Sequence, residues 1–362
     1  MSSSASGHGA SARLQRAWGS RGLLARSLLP MAALYGGVTA LRRALYRLGW
    51  LRTSRLPVPV IVVGNLLAGG AGKTPTVIAV VALLRRHGFT PGIVSRGYGR
   101  SGDDVVDVTP QLPATQAGDE PLLLRLRTGA PVVVGRDRAA AARELLQRHA
   151  QVDIIVSDDG LQHLALARDA QVLVFDERGA GNGWLLPAGP LREAVPADVP
   201  PRSVVLYNAV SPSTRLAGAM AQRSLAGAVG LQEWWRGDAV SMDVLGALRG
   251  RPLVAAAGLA RPDRFFDMLR SAGLDFSALP LPDHHDFSTL PWPPATPDVI
   301  VTEKDAVKLD PAQLGETRVW VAALDFAPGV VFDAALMALL PGRPVTQASM
   351  FERGLTPAPP RK

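Results

Sequence analysis

A glycine-rich loop that follows a short run of β-branched residues constrains the fold of this chain more than any other feature. Residues 58–65 (VPVIVVGN) predict a buried parallel strand, and residues 69–74 (GGAGKT) lead from it into an apolar helical stretch at 75–87. Glycines let backbone N–H groups point inward at a phosphate. Lys73 would place a positive charge on the β- and γ-phosphates, and the Thr74 hydroxyl could ligate Mg²⁺. The predicted nucleotide-binding residues are Gly69, Gly70, Ala71, Gly72, Lys73 and Thr74.

This loop departs from the common phosphate-loop pattern at one position. The pattern begins with a glycine, whereas this chain has Leu67 at that place. The GKT ending and the order strand, loop, helix are both kept. We therefore predict phosphate binding here rather than an ordinary glycine-rich turn.

Short apolar runs alternate with helical stretches along the rest of the chain, which predicts a parallel α/β sheet. The predicted strands of this part lie at 92–95, 131–134, 153–157, 171–175 and 203–208, with a helix at 138–149. A second α/β pattern consists of strands at 252–257, 298–302 and 317–322 and a helix at 264–272. The predicted fold class is α/β, with a phosphate-loop NTPase-like parallel-sheet domain and a smaller second α/β domain.

The composition changes along the chain and sets the expected domain limits. These are a disordered start at 1–12, an N-terminal membrane-interface helix region at 13–55, a phosphate-loop domain at 56–215, a second α/β domain at 216–345 and a loose tail at 346–362. The chain has no cysteine, which excludes disulfides, thiolate zinc sites and cysteine nucleophiles and fits a reducing cytosol.

Positive charge is concentrated at the N-terminal end. The first 102 residues contain fourteen Lys and Arg and no acid, whereas the remainder carries 25 bases and 31 acids. The uncharged stretch at 27–41 would form a helix of about 22 Å, shorter than the ~30 Å hydrocarbon core of a bilayer. We therefore predict a helix that lies in an anionic membrane surface, with an ordinary core helix as the alternative. Seven arginines would face the headgroups: Arg13, Arg16, Arg21, Arg26, Arg42, Arg43 and Arg47.

Acidic and basic residues follow several predicted strands, where ligands bind in open α/β sheets. Asp158 and Asp159 end one strand and are candidate Mg²⁺ ligands. Arg96 follows another strand, and Arg192 lies in a proline-stiffened loop, so either could contact phosphates. A hydroxyl acceptor also needs a group to receive its proton, and position alone leaves four aspartates open. These candidates are Asp119, Asp137, Asp158 and Asp159.

Six motifs in order resemble the lipid A 4′-kinases (tetraacyldisaccharide 4′-kinases) over roughly residues 20–340. The motifs are VPVIVVGNLLAGGAGKTP, VSRGYGR, AGDEP, VSDDGLQH, GNGWLLPAGPLRE and VTEKDAVK. The resemblance implies Mg²⁺- and ATP-dependent transfer of the γ-phosphoryl group to the 4′-hydroxyl of tetraacyldisaccharide 1-phosphate, which gives the lipid A precursor lipid IVA. It also implies two hinged α/β/α domains and a peripheral position at the cytoplasmic face of the bacterial inner membrane.

The resemblance also implies roles for single residues. Asp119 matches the general base and His284 the second-domain histidine that orients or tunes it; His284 is preferred to His285 because it directly follows Asp283. Lys73 and Asp159 match further catalytic positions, and the metal would be held by Thr74, Asp158 and Asp159. The remaining matches to active-site positions are Arg96, Tyr98, Gln162, His163, Arg192 and Glu193.

Two other functions compete with this interpretation. A phosphate-loop ATPase would hydrolyse ATP with no lipid acceptor. A nucleic-acid-binding NTPase would account for the high pI of about 10.5, but the bases flank an apolar stretch and no recognition motif is present in the sequence. We therefore expect an acylated disaccharide phosphate lipid and an anionic membrane surface as partners, with no nucleic acid and no obligate protein partner.

Overall fold

A computed structural model describes residues 17–341 and contains a large and a small β-sheet. The predicted disordered start at 1–12 and loose tail at 346–362 lie outside the described residues. The large sheet has strand order β3-β4-β2-β5-β1-β6-β7-β8 and is parallel except for β3. Its strands are β1 Val60–Gly64, β2 Pro91–Ser95, β3 Val106–Asp107, β4 Val132–Val134, β5 Ile154–Asp158, β6 Ala170–Asp176, β7 Ser203–Asn208 and β8 Ala219–Met220.

Helices cover both faces of the large sheet. Side chains alternate along each strand, so apolar residues of the strands project from both faces and are buried under helices. Ile61 and Val63 of β1 pack into one hydrophobic core with residues of the helices Lys73–Arg86 and Asp119–Thr128. Val60 and Val62 point the other way, into a second core with residues of the helix Arg138–Arg148. The helices up to this point are α1 Leu23–Ser27, α2 Leu29–Arg47, α3 Lys73–Arg86, α4 Ala114–Ala117, α5 Asp119–Thr128 and α6 Arg138–Arg148.

The small sheet has strand order β11-β10-β12-β13-β9 and is parallel except for β9. Its strands are β9 Gln222–Gly230, β10 Leu253–Ala257, β11 Ser277–Pro280, β12 Asp298–Thr302 and β13 Arg318–Ala327. The helices of this part are α7 Leu231–Arg236, α8 Met242–Gly246, α9 Asp263–Ser271, α10 Glu303–Ala306 and α11 Val330–Met337. The two sheets confirm the predicted α/β fold class.

The large sheet includes residues beyond the expected limit at 215, and the chain returns to this sheet once after the small sheet. β8 lies beyond that limit but pairs with β7 in the large sheet. The helix α11 follows the last strand of the small sheet and packs back on β7 and β8, with Phe332 and Leu336 buried. Both β8 and α11 therefore pack with the large sheet.

The N-terminal helix α2 is attached to the large-sheet part along one face only. Tyr35 donates a hydrogen bond to the carbonyl of Arg192, and Arg43 pairs with Glu193 at 3.1 Å. Ala32 is the buried residue of this helix, whereas Leu34 and Leu41 are 71% and 62% exposed. This exposure contradicts the alternative of an ordinary core helix. Within residues 17–341, no helix has both the length and the apolar character needed to cross a membrane.

Candidate active site

The phosphate loop leads from β1 into α3, as predicted, and its backbone depends on glycine. Gly72 has φ +90° directly before α3, a conformation that L side chains rarely adopt. A Cβ atom at this position would lie 2.1 Å from Nδ2 of Asn208, which donates to the carbonyl of Ala71. Asn208, the last residue of β7, therefore packs against the loop at a position where only glycine fits.

Lys73 is buried at the start of α3, close to two oxygen atoms. Its Nζ lies 3.4 Å from Oδ1 of Asn65 and 3.8 Å from Oδ2 of Asp159. Lys73 and Thr74 both line a cavity of about 1350 Å³ that extends from the phosphate loop to the small-sheet part. The predicted loop residues therefore meet at the floor of one cavity, except for the buried Ala71, which supports the loop from behind.

The acidic pair occupies two different electrostatic environments at the end of β5. Asp158 is buried; its Oδ2 accepts a hydrogen bond from Ser95 and its Oδ1 has no hydrogen-bond partner. Burial, together with the charges of Glu120 and Asp159, raises the pKa of Asp158 to about 7.

Asp159 is half-buried and is held as a carboxylate. Burial opposes ionisation, but the positive charges of Lys73 and Arg192 outweigh it and lower the pKa of Asp159. Arg192 Nη1 lies 3.0 and 3.1 Å from the two carboxylate oxygens of Asp159. Asp159 also has φ +47°, an uncommon conformation for a residue other than glycine. Such a strained backbone at a cavity floor is typical of functional sites.

His284 and Asp119 meet although they belong to different parts of the chain. His284 Nδ1 lies 3.2 Å from Oδ2 of Asp119, and the ring of Tyr98 lies 5.7 Å from the imidazole. His284 has φ +60° and lines the cavity, whereas Asp119 is not among the described residues that line it. His285 instead packs against Phe287, so the geometry favours His284 over His285 as the partner of Asp119.

The other predicted site residues divide into two groups. Gln162 lies in the cavity wall beside Arg192, and His163 accepts a hydrogen bond from the backbone N–H of Arg138. Arg96 and Tyr98 also line the cavity. Glu193 differs, since its carboxylate faces Arg43 of α2 and it is not among the described lining residues. The structure therefore brings all of these side chains together except Glu193, which connects the N-terminal helix to the site.

Sequence reasoning missed several residues that support the phosphate loop. Arg178 donates to the carbonyls of Ala68 and Gly70 and is itself held by the buried carboxylate of Asp176. Asp176 and Asn208 are the last residues of β6 and β7. Polar residues at the carboxyl ends of parallel strands are a signal that could have identified them.

The donor set near the phosphate loop suits a magnesium ion that is shared with a nucleotide. Mg²⁺ is usually bound by one or two carboxylates together with substrate phosphates and water. The buried Oδ1 of Asp158 has no protein partner, and Asp159 and Thr74 lie in the same cavity. The described part of the chain holds no cluster of three or more His, Cys, Asp or Glu suited to a metal. The residues thus fit a Mg²⁺ completed by phosphate oxygens rather than an all-protein metal site.

The strand–loop–helix unit, the buried lysine and the acidic pair define a phosphate-loop nucleotide-binding protein of the α/β class. The sequence model of the family described as Tetraacyldisaccharide-1-P 4'-kinase matches residues 24–341. The chain therefore belongs to this family of kinases, which confirms the resemblance seen in the sequence.

Relatives and a solved structure agree with this assignment. The chain is 58% identical to the tetraacyldisaccharide 4'-kinase of Methylibium petroleiphilum over 330 residues, which are 89% of this chain and 92% of that protein. It is 55% identical to the Leptothrix cholodnii protein of the same name over 336 residues, which are 92% of this chain and 97% of that protein. The crystal structure of Aquifex aeolicus LpxK in complex with ATP matches with a TM-score of 0.72 at 27% identity, covering 88% of this chain and 99% of that chain.

Proposed function

We propose that this protein transfers the γ-phosphoryl group of ATP to the 4′-hydroxyl of tetraacyldisaccharide 1-phosphate, giving lipid IVA. The observation that carries the proposal is the Asp119–His284 pair at 3.2 Å, next to the cavity that also contains Lys73 and Asp159. A hydrolase of ATP alone would have no need of a proton acceptor for an alcohol at this place. The names of the relatives and the ATP complex of the Aquifex protein support the choice of substrates.

The nucleotide phosphates would bind at the N-terminus of α3, where loop N–H groups and the helix dipole favour anions. Lys73 would neutralise the developing charge on the transferred group together with the arginines of the cavity, Arg96 and Arg192. Thr74, Asp158 and Asp159 would hold Mg²⁺. The bound ion supplies further neutralisation of the phosphate oxygens.

The transfer forms one bond, breaks one bond and moves one proton. The 4′-oxygen bonds to the γ-phosphorus, the bond between that phosphorus and the β–γ bridging oxygen breaks, and ADP leaves with the electron pair. Asp119 receives the hydroxyl proton, and His284 orients the carboxylate. General-base assistance of this kind contributes typically about 10²–10⁴-fold in rate.

The two parts of the chain would close around the substrates, with the limits proposed near 56–215 and 216–345 and a hinge between them. Asp119 begins α5 beside the large sheet, whereas His284 follows the small-sheet strand β11. The pair spans both parts, so a hinge motion that moved them apart would separate it, and chemistry would wait until both parts hold the substrate.

The N-terminal helices would bring the enzyme to a lipid substrate that stays in the bilayer. Exposed apolar side chains of α1 and α2 lie among arginines, a composition suited to the interface of an anionic membrane. We place the enzyme at the cytoplasmic face of the bacterial inner membrane as a peripheral protein. Its expected partners are the lipid substrate and the membrane surface, without nucleic acid or an obligate protein.

The test is transfer of labelled γ-phosphate from ATP to tetraacyldisaccharide 1-phosphate in mixed micelles, in the presence of Mg²⁺. Wild-type protein should produce labelled lipid, and Lys73→Ala should abolish or strongly reduce it. Free phosphate at the same rate with and without lipid, and no labelled lipid, would reject the kinase proposal in favour of an ATPase.

A further inference from the structure

Arg192 is connected to three different parts of the molecule by three of its groups. Its backbone N–H donates to the carbonyl of Leu66, just before the phosphate loop, at 2.7 Å. Its guanidinium lies 3.0 and 3.1 Å from the two carboxylate oxygens of Asp159. Its backbone carbonyl accepts a hydrogen bond of 3.0 Å from the hydroxyl of Tyr35 in α2. Arg192 therefore lies between the N-terminal helix, the phosphate loop and the acidic pair.

The main chain around Arg192 is paired with the approach to the phosphate loop. Residues 190–192 and 66–68 form an isolated antiparallel β-bridge. The backbone N–H of Ala68 donates to the carbonyl of Pro190 at 2.8 Å, in addition to the bond that Arg192 donates. A displacement of Arg192 would therefore also disturb the residues that lead into the phosphate loop.

The chain that follows Arg192 has no backbone support of its own. Residues 193–200 make no backbone–backbone hydrogen bond within the part of the chain that the structure describes. Two contacts from α2 hold this side of Arg192. Tyr35 donates to the carbonyl, and Arg43 pairs with Glu193 at 3.1 Å. The position of Arg192 thus depends on α2 as well as on the phosphate loop.

Tyr35 is the stronger of these two contacts. The side chains of Arg43 and Glu193 are 33% and 19% exposed, and ion pairs that water reaches contribute little. Burial, and then the negative charge of Glu193, raise the pKa of the Tyr35 hydroxyl above its usual 10. The hydroxyl therefore keeps its proton at neutral pH and remains a donor to the carbonyl.

We propose that Tyr35 is a positioning residue for phosphoryl transfer: its hydroxyl fixes the main chain of Arg192, and through it the guanidinium that holds Asp159 beside the phosphate loop. The helix α2 then contributes to the reaction itself as well as to membrane attachment. The kinetic part of this inference rests on the kinase function proposed above, whereas the placement of Arg192 by Tyr35 does not.

Asp159 lies between two cations, of which Arg192 is the nearer. Arg192 Nη1 lies 3.0 Å from Oδ1 of Asp159, and Lys73 Nζ lies 3.8 Å from Oδ2. If the guanidinium is displaced, the attraction between Asp159 and Lys73 is no longer balanced. The ammonium of Lys73 would then be drawn towards the carboxylate and away from the nucleotide phosphates, which would slow the transfer.

The direct test is amide hydrogen exchange of the full chain, without ATP or lipid, in wild type and Tyr35→Phe. Phenylalanine keeps the ring and removes only the hydroxyl. Exchange in peptides that cover residues 191–195 should become about threefold faster or more, because this segment loses its contact with α2. Unchanged exchange in Tyr35→Phe would overturn the proposal.

The matched control is Tyr46→Phe, which removes the same group from the same helix. Tyr46 contacts Arg42 through its ring, and its hydroxyl forms no hydrogen bond among the described residues. Exchange at 191–195 should be the same in Tyr46→Phe as in wild type. An equal acceleration in both variants would show a general loosening of α2 and would overturn the role of the Tyr35 hydroxyl.

The kinetic consequence separates positioning from membrane attachment. In Tyr35→Phe, kcat for lipid phosphorylation should fall about three- to tenfold, the effect of one hydrogen bond. The KM for lipid and flotation with anionic vesicles should stay near the wild-type values, because the exposed face of α2 is intact. A raised KM for lipid together with reduced flotation, and an unchanged kcat, would instead assign Tyr35 to lipid binding and overturn the proposal.

A double-mutant cycle tests whether Tyr35 acts through Arg192. Arg192→Lys keeps the positive charge but changes the geometry of its contact with Asp159. In this background Tyr35→Phe should cause little further loss of kcat, since the two residues act in series. Fully multiplicative losses would contradict the proposal. Absence of lipid phosphorylation by wild-type protein would reject the kinase function, and hydrogen exchange would still decide whether Tyr35 holds Arg192.

Discussion

His284 Nδ1 lies 3.2 Å from Oδ2 of Asp119, although 165 residues of sequence separate the two side chains. Asp119 begins a helix beside the large sheet, and His284 comes from the loop after β11 of the small sheet. The pair is therefore formed by the tertiary fold, and its two members should act as one unit in catalysis.

Replacing either member of this pair should lower turnover more than it lowers nucleotide binding. We expect Asp119→Asn to reduce kcat by about 10²–10⁴-fold, because no carboxylate then remains at this position to receive the proton of the lipid 4′-hydroxyl. His284→Gln should give a smaller loss, and the double variant should be close to Asp119→Asn alone, since residues that act together are not additive. Steady-state kinetics with lipid and ATP check this. Fully multiplicative losses would show that the two residues act independently.

Two glycines of the phosphate loop should respond differently to alanine. Gly72→Ala places a Cβ against Asn208 at φ +90°, a strain of order 1–3 kcal/mol, so ATP affinity should fall about tenfold or more. Gly70→Ala is the matched control, since a Cβ there meets no atom of the described residues within 4 Å, its two chain neighbours aside. Isothermal titration with ATP and Mg²⁺ measures both variants. Similar affinities for the two would contradict the described role of Asn208.

His163 should make the protein less stable as the solution becomes acidic. Burial, and then the positive charge of Arg138, lower the pKa of His163 below its usual 6.5. The folded state then binds fewer protons than the unfolded state below about pH 6.5, so the free energy of unfolding decreases as the pH falls through this range.

Urea unfolding of wild type and His163→Gln between pH 8 and pH 5 measures this effect. The decrease on acidification should be smaller in His163→Gln than in wild type. The exposed His87→Gln is the control for loss of an imidazole elsewhere. Parallel curves for wild type and His163→Gln would show that His163 is not responsible.

The exposed face of α2 should determine membrane binding. We expect Leu34→Glu and Leu41→Glu together to reduce flotation with vesicles of anionic phospholipid, because apolar area and attraction to the headgroups are both lost. Val210→Glu is the control, since Val210 is 97% exposed but lies far along the chain from this helix. ATP binding should be unchanged in both the double variant and Val210→Glu. Undiminished flotation of the double variant would contradict the membrane role of α2.

Much of the fold could be predicted because the central strands are continuous apolar runs. The strands predicted at 203–208 and 298–302 have the observed bounds, and β1 differs by two residues at its start and one at its end. β9 was missed, because the glycines and polar residues of QRSLAGAVG give a weak strand pattern and its pairing with β13 stabilises it. The return of α11 to the large sheet depends on contacts between distant parts of the chain, which local patterns do not encode.

The candidate site could be predicted in part for a similar reason. The phosphate loop and the acidic pair are local motifs next to strands, so their types and spacing were sufficient. The association of Asp119 with His284 came only from resemblance to a family. Arg178 was missed because the loop carbonyls that it contacts lie 108 and 110 positions away in sequence, and an isolated charged residue is usually a solvated one.

The most direct measurement of the central claim is the chemical position of the transferred phosphate. The protein is incubated with ATP, Mg²⁺ and tetraacyldisaccharide 1-phosphate, and the lipid product is analysed by ³¹P NMR beside an acceptor that lacks the 4′-hydroxyl. We predict a new phosphomonoester at the 4′ position with the natural acceptor and none with the 4′-deoxy compound. Phosphate released to water at an equal rate with both compounds, and no new phosphomonoester on the lipid, would contradict the account.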